Sequence, residues 1–186
     1  VFSGHKMFGP MGTGVLYVGN DYVDKVAPLI VGGGMIESVG EKASSYRQFP
    51  FSLDAGTPNV QGVLGLGAAV DFLTQLDRAA ARSHVARLTS KFARGVKSIA
   101  EVRLLPFFDE ESGIVSFNVG DIHAHDVAGF LNRDNIAIRA GMHCTQPLLD
   151  DLHLEATARV SFSIYNTEDE VDRLISSLQK LVAFWK

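Results

Sequence analysis

Val1-Phe-Ser-Gly-His-Lys6-Met-Phe-Gly-Pro10-Met-Gly-Thr-Gly14 is the stretch on which the reading of the chain turns. Gly9, Pro10, Gly12 and Gly14 rule out a regular helix or a central strand after the lysine. Val15-Leu-Tyr-Val18, which follows, has the apolar and β-branched character of a short buried strand. Lys6 is therefore expected on a tight turn between apolar segments. A lysine amine that sheds hydration becomes a nucleophile, and such amines condense with carbonyl cofactors. A surface lysine in a glycine-rich turn is the plain alternative, and these residues alone leave both open.

The 186 residues suffice for one ordinary domain or for parts of two. A hydrophobic fraction of 46% and a charged fraction of 20% are those of a globular protein. The net charge of -4, with no basic cluster, gives no footprint for nucleic acid. No apolar run approaches the roughly 18 residues of a membrane span, and the first residues do not read as a signal peptide. Cys144 is the one cysteine, so no disulfide closes within the chain, and a reducing cytoplasm is the expected setting. Val1-Phe2 reads as the end of a strand already under way, as in a segment of a longer protein.

Working outward, Asp21 to Val26 predicts a short helix, and Gly32-Gly-Gly34 either a flexible linker or a loop at a cofactor's rim. Residues 37–50 are polar and read as irregular. In Asp54-Ala-Gly-Thr-Pro-Asn59, Thr57 is a candidate N-cap with Pro58 at the first helical position. The helix then runs to about Leu76, with Val60, Val63, Leu64, Gly67, Val70 and Leu73 on the buried face. Thr57 serves either as a plain cap or, with the helix N-terminus, as a phosphate ligand. A second helix spans residues 79–99, with Val85, Leu88, Phe92 and Val96 inward. Strands at 102–105, 113–119, 135–139 and 158–164 follow, with a helix at 124–131 capped from Asp121 or His123. A capping box, Thr167-Glu-Asp-Glu170, opens the last amphipathic helix. This alternation describes a small α/β layer domain, joined to the first segment within the helix around 58–78.

Arg139-Ala-Gly-Met-His-Cys144 leaves a strand and turns through Gly141 into a loop that carries His143 and Cys144. The thiolate is the reactive form of cysteine, and an unperturbed thiol with a pKa of about 8.5 is mostly protonated at neutral pH. A buried small hydrophobe is the alternative for Cys144, although its polar flanks suit a loop better. Arg139 and Arg159 sit on strands, where a guanidinium serves either a bidentate carboxylate or a structural ion pair. His123 and His125 lack partners at metal-ligand spacing, so no metal is expected.

These motifs stand together in one order: Ser3-Gly-His-Lys6, Gly9-Pro-Met-Gly12, Ala55-Gly-Thr-Pro-Asn59, Arg139-Ala-Gly-Met-His-Cys144 and Arg159-Val-Ser-Phe-Ser-Ile-Tyr-Asn-Thr167. In that combination the chain resembles the C-terminal half of a group II cysteine desulfurase of the SufS/CsdA type. That group lies within the class V aminotransferases, which are fold-type I pyridoxal phosphate enzymes. The resemblance covers essentially the whole chain, and Arg-x-Gly-x-His-Cys is its most specific motif. It implies an α/β fold in which residues 1–72 end the large cofactor-binding domain and residues 73–186 form the small C-terminal domain.

By the same resemblance, Lys6 would hold pyridoxal 5'-phosphate through its amine and shuttle the substrate's α-proton. Ser3 and His5 would bind the cofactor phosphate. Thr57, with the Gly32–Gly34 loop at the same rim, would reach the phosphate held by the other subunit of a homodimer. Arg159 would clamp the α-carboxylate of L-cysteine and Arg139 would line the pocket. Cys144 would take the sulfur as a persulfide, leaving alanine, and pass it to a sulfur-acceptor protein for iron–sulfur cluster assembly. Thr145 departs from the alanine that commonly follows the cysteine. The aspartate and the ring-stacking histidine that the family places before the lysine do not occur in these residues, so the 186 residues alone are expected to be inactive or nearly so. A selenocysteine lyase, another class V enzyme, and a non-catalytic module that docks a sulfur acceptor are the competing readings.

Overall fold

The computed structural model describes residues 1–185, in two compact units: Val1–Leu76 and the stretch from Asp77 onward. In the first unit β1 (Phe2–Ser3) and β2 (Gly14–Val15) pair antiparallel, with Phe2 opposite Val15. Between them a single 3-10 turn covers Gly4–Lys6, closed by the Met7 amide on the Gly4 carbonyl at 2.9 Å, and the Gly4 amide donates across the hairpin to the Thr13 carbonyl at 2.9 Å. This hairpin lies on α1 (Val60–Gln75). A Cβ on Gly9 would stand 3.0 Å from Leu66 Cδ1, and one on Gly65 would stand 3.0 Å from the Pro10 ring. Glycine at both positions is what lets turn and helix approach.

Several expectations for this unit are corrected. β2 ends at Val15, and Leu16 and Tyr17 are exposed, because β1 offers only two residues to pair with. The N-cap of α1 is Asn59, whose Oδ1 accepts the Gly62 amide at 3.0 Å, and not Thr57. The helix starts two residues later than expected, and Asn is at least as good a cap as Thr. Its buried residues are Gly62, Leu66 and Ala69, whereas Val60, Val63, Leu64 and Val70 are exposed. The glycines decided which face the opening turn could enter, and bulk at the other positions did not. Asn20–Lys25 is a 3-10 segment. The stretch after the glycines is a hairpin, β3 (Ile36–Val39) with β4 (Ser44–Tyr46), tied by a 2.7 Å bond between Ser38 Oγ and Ser45 Oγ. Met35 is fully buried beneath it. Arg47 donates to the Gly34 carbonyl at 3.1 Å and stacks its guanidinium on Phe51.

The second unit follows the predicted pattern more closely. It contains α2 (Arg78–Gly95), β5 (Val102–Leu104), β6 (Ile114–Val119), α3 (Ala124–Arg133), β7 (Arg139–Gly141), α4 (Gln146–Asp151), β8 (Thr157–Ser161) and α5 (Glu168–Trp185). The four strands form one antiparallel sheet in the order β5-β6-β8-β7. Val115, Phe117 and Val119 alternate inward along β6, as a half-buried strand requires. They join Leu88 and Phe92 of α2, Val127 and Leu131 of α3, Ala158 and Val160 of β8, and Val171, Leu174, Leu178 and Leu181 of α5 in one core. The other face of the sheet carries Ser116, Arg159 and Arg139 in cross-strand register.

Helix ends are capped by their own side chains. Asp77 Oδ1 accepts the amides of Ala79 and Ala80 at 2.9 and 3.0 Å. Asp77→Ala is expected to cost about 1 kcal/mol, seen as a lower urea midpoint at unchanged m. His123 Nδ1 accepts the His125 amide at the start of α3, which selects one of the two expected caps. The capping box at α5 forms as expected, with Thr167 N to Glu170 Oε2 at 3.0 Å and Glu170 N to Thr167 Oγ1 at 3.3 Å. The Asn166 side-chain amide and the Thr167 backbone amide, both donating to it, hold the Glu170 carboxyl below its ordinary pKa. Lys91 bridges α2 to Asp172 at 2.8 Å and to Glu168 at 3.4 Å.

Three further boundaries differ. The strand expected at 135–139 begins only at Arg139, because Asn135 takes a left-handed φ of 57° and Ile136 N closes the end of α3 on the Leu131 carbonyl. β8 stops at Ser161, where Ser163 and Asn166 form a turn through backbone and side-chain bonds. α4, with a proline in its first turn, was not anticipated.

Candidate active site

Ser3, His5 and Lys6 lie together on the 3-10 turn of the first unit, with Ser3 half-buried and His5 and Lys6 exposed. Their side chains make no hydrogen bond or ion pair with any described residue. Hydroxyl, imidazole and primary amine thus stand free on a turn whose backbone is fixed by glycines. Such a donor set suits a phosphate-bearing carbonyl cofactor. Thr57 lies exposed before α1, next to Gly56, which adopts a φ of 84° and donates to the Gly33 carbonyl at 2.6 Å. The triple-glycine loop and the Ala-Gly-Thr-Pro-Asn motif are therefore neighbours.

The second unit gathers Arg139, Arg159, His143 and Cys144. Arg139 and Arg159 face each other across β7 and β8 on the side of the sheet away from the core. Like charges directly opposite on a sheet are destabilising. Among the described residues neither guanidinium makes an ion pair, and Arg159 Nε is buried with no partner. Arg139 Nη2 donates to Cys144 Sγ at 3.8 Å. The thiol is exposed, not buried.

The backbone at the thiol is strained. His143 and Cys144 adopt successive φ values of 54° and 61°, and Gly141 before them has a φ of 123°. A non-glycine residue in this region is uncommon, and two in a row need support from their surroundings. Part of that support is His143, whose Nε2 lies 2.9 Å from both the carbonyl and the hydroxyl of Thr157. Burial holds the His143 imidazole below its ordinary pKa, and the nearby Arg159 and Arg139 push in the same direction against the bond to Thr157. The ring is therefore neutral near pH 7. Since a carbonyl only accepts, Nε2 carries the proton and Nδ1 is the bare nitrogen. Beside the thiol opens a cleft of about 680 Å³, whose walls include His123, His125, Leu149 and Glu155. The two histidine rings stack 5.2 Å apart, and among the described residues no three His, Cys, Asp or Glu side chains could hold a metal ion.

Thr157 was missed in the sequence. It is fully buried on β8, and its signal was weak, a lone threonine two residues before the noticed arginine. Asn59 was also missed as the cap of α1, although its position before an apolar helical run was visible.

Residues 1–174 match the family model described as aminotransferase class-V. The chain belongs to that family. Among curated class-V relatives, it is 42% identical over 179 residues to a probable cysteine desulfurase of Halalkalibacterium halodurans, covering 96% of this chain and 44% of that protein. It is 38% identical over 182 residues to a cysteine desulfurase of Pectobacterium carotovorum, covering 97% of this chain and 44% of that one. The solved cysteine desulfurase CsdA of Escherichia coli superposes with a TM-score of 0.90 at 35% identity, over 98% of this chain and 45% of that structure. The apo cysteine desulfurase of Thermococcus onnurineus gives 0.93 at 33% identity, over 98% and 46%. The chain therefore has the mixed α/β fold of cysteine desulfurase structures, and it spans about 44% of the length of the curated relatives. Among the described residues no helix is long and apolar enough to cross a membrane.

Proposed function

We propose that the protein to which this class-V chain belongs is a pyridoxal phosphate-dependent cysteine desulfurase. It converts L-cysteine to L-alanine and leaves the sulfur on Cys144 as a persulfide. The observation that carries this reading is an exposed thiol on a strained loop, touched by one of two guanidiniums that oppose each other without acidic partners among the described residues. That array suits a small carboxylate whose own sulfur must meet a thiol.

Arg159 and Arg139 hold the substrate's α-carboxylate, and their mutual repulsion is relieved when it binds. Lys6 binds the cofactor through its amine and moves the α-proton, with Ser3 and His5 on the cofactor phosphate and Thr57 on that of a partner subunit. The cofactor, when bound, supplies an electron sink next to the substrate's α-carbon. Cys144, as thiolate, forms the new S–S bond to the substrate's sulfur. The C–S bond breaks with its electron pair going to carbon, which is protonated to give alanine. A sulfur-acceptor protein removes the persulfide sulfur for iron–sulfur cluster assembly in the cytoplasm, and the enzyme is a homodimer.

Borohydride reduction of the whole enzyme loaded with pyridoxal phosphate, followed by peptide mapping, is expected to place the pyridoxyl group on Lys6, and the same enzyme should release alanine from L-cysteine. A pyridoxyl group on any other lysine, or absence of alanine, counts against this reading.

A further inference from the structure

Arg139-Ala-Gly-Met-His-Cys144 presents its thiol from a loop in which two residues in succession stay in the left-handed region. Asn, Asp and Gly enter that region readily, and His and Cys do so at a cost. A loop of this kind relaxes unless something beyond its own backbone holds it. The turn bond from the Thr145 amide to the Met142 carbonyl, at 2.9 Å, spans the two residues without fixing them to the sheet. His143 ties them to the neighbouring strand, its Nε2 lying 2.9 Å from the carbonyl and from the hydroxyl of buried Thr157, closer than the 3.8 Å approach of Arg139 to Cys144. Thr157 lies opposite Gly141 in the β7–β8 ladder, so the anchor sits at the strand end from which the loop departs.

We propose that His143 is a positioning residue: its Nε2–H, donated to Thr157, locks residues 143 and 144 in their left-handed conformation and keeps the Cys144 sulfur against the Arg139 guanidinium. The imidazole neither exchanges a proton with substrate nor binds cofactor. Its task is to hold the peptide that carries the thiol. The Nε2–H tautomer follows from the carbonyl acceptor, and burial, which lowers the pKa of the imidazole, keeps the ring neutral at neutral pH. The consequence for catalysis rests on the desulfurase reading. The consequence for the loop does not.

Hydrogen exchange on the whole protein tests the anchor without any turnover. His143→Ala and His143→Phe are both expected to speed exchange of the Thr145 amide by about 10-fold, the scale of one lost hydrogen bond. The Phe117 amide in the central strand should stay at its wild-type rate as an internal control of folding. His143→Gln, whose amide nitrogen stands near the position of Nε2, should restore protection of Thr145 to within about 3-fold of wild type. Nitrogen chemical shifts of the imidazole should report a neutral ring protonated on Nε2. Wild-type exchange at Thr145 in the Ala and Phe variants, equal acceleration at Phe117 and Thr145, failure of Gln to rescue, or a ring protonated on Nδ1 would each overturn the proposal. In the whole enzyme His143→Phe should lower kcat with little change in KM for L-cysteine. If the exchange results hold while the whole enzyme fails to turn over cysteine, the desulfurase reading is lost and the anchor stands.

Discussion

Replacing Cys144 by serine is expected to remove L-cysteine turnover by the whole enzyme, by at least about 100-fold, the scale on which loss of a reacting group registers. Serine nearly matches the shape of cysteine but cannot form the S–S bond on which sulfur transfer depends. The side chain is exposed, and its one hydrogen bond among the described residues is the 3.8 Å approach of Arg139 Nη2, so the fold has little to lose. Stability should stay within about 0.5 kcal/mol of wild type, because serine is close to cysteine in size and meets the left-handed backbone of position 144 with no added crowding. Alanine release from L-cysteine and from L-selenocysteine, measured side by side, separates the competing readings. Loss with the first and retention with the second marks a selenocysteine lyase, because selenium leaves carbon more readily. Undiminished cysteine turnover removes Cys144 from the chemistry and points to another class-V reaction.

The largest expected stability effect is at Phe117. Its ring is fully buried in β6, centred 5.7 Å from that of Phe92, and its backbone pairs with Leu104 on one side and Ala158 on the other. Phe117→Ala is expected to cost about 3–5 kcal/mol, combining lost transfer energy with a cavity that three neighbouring elements cannot close. Domains of this size are stable by about 5–15 kcal/mol, so the variant should sit near its unfolding threshold. Urea unfolding should show a large drop in midpoint without a change in slope. Ile114→Ala, on the same strand but 42% exposed, should cost less than about 1.5 kcal/mol. Equal costs at the two positions would mean that the strand does not alternate as described.

The second unit was legible where one local signal and one packing demand agree. Val115, Phe117 and Val119 repeat at the period of a strand, and Val171, Leu174, Leu178 and Leu181 repeat at that of a helix. Both elements bury the face so marked. Thr167 and Glu170 cap α5 as written, since a capping box is satisfied within four residues. Legibility failed where a tertiary contact decides between equal local choices. α1 is apolar on more than one side, and its buried side was chosen by where Pro10 and Gly9 can lie against glycine-thinned helix, a fact of distant residues. The 135–138 stretch is apolar enough for a strand, but closure of α3 consumes Asn135 and Ile136 first. At the site, Lys6, Arg139, Arg159 and Cys144 were visible as residue types. The partner of His143 was not, because the pairing of 143 with 157 depends on two strands meeting in register.

The strand order β5-β6-β8-β7 places the segment that is synthesised last between two that are made earlier. On the ribosome, β6 and β7 emerge with the slot between them still open, and they gain a common neighbour only when residues 157–161 leave the exit tunnel. Until then Arg139 faces no second arginine and His143 has no threonine to hold. The nascent polypeptide thus carries its thiol on an unfastened loop, and the reactive arrangement comes into being in the same event that completes the sheet.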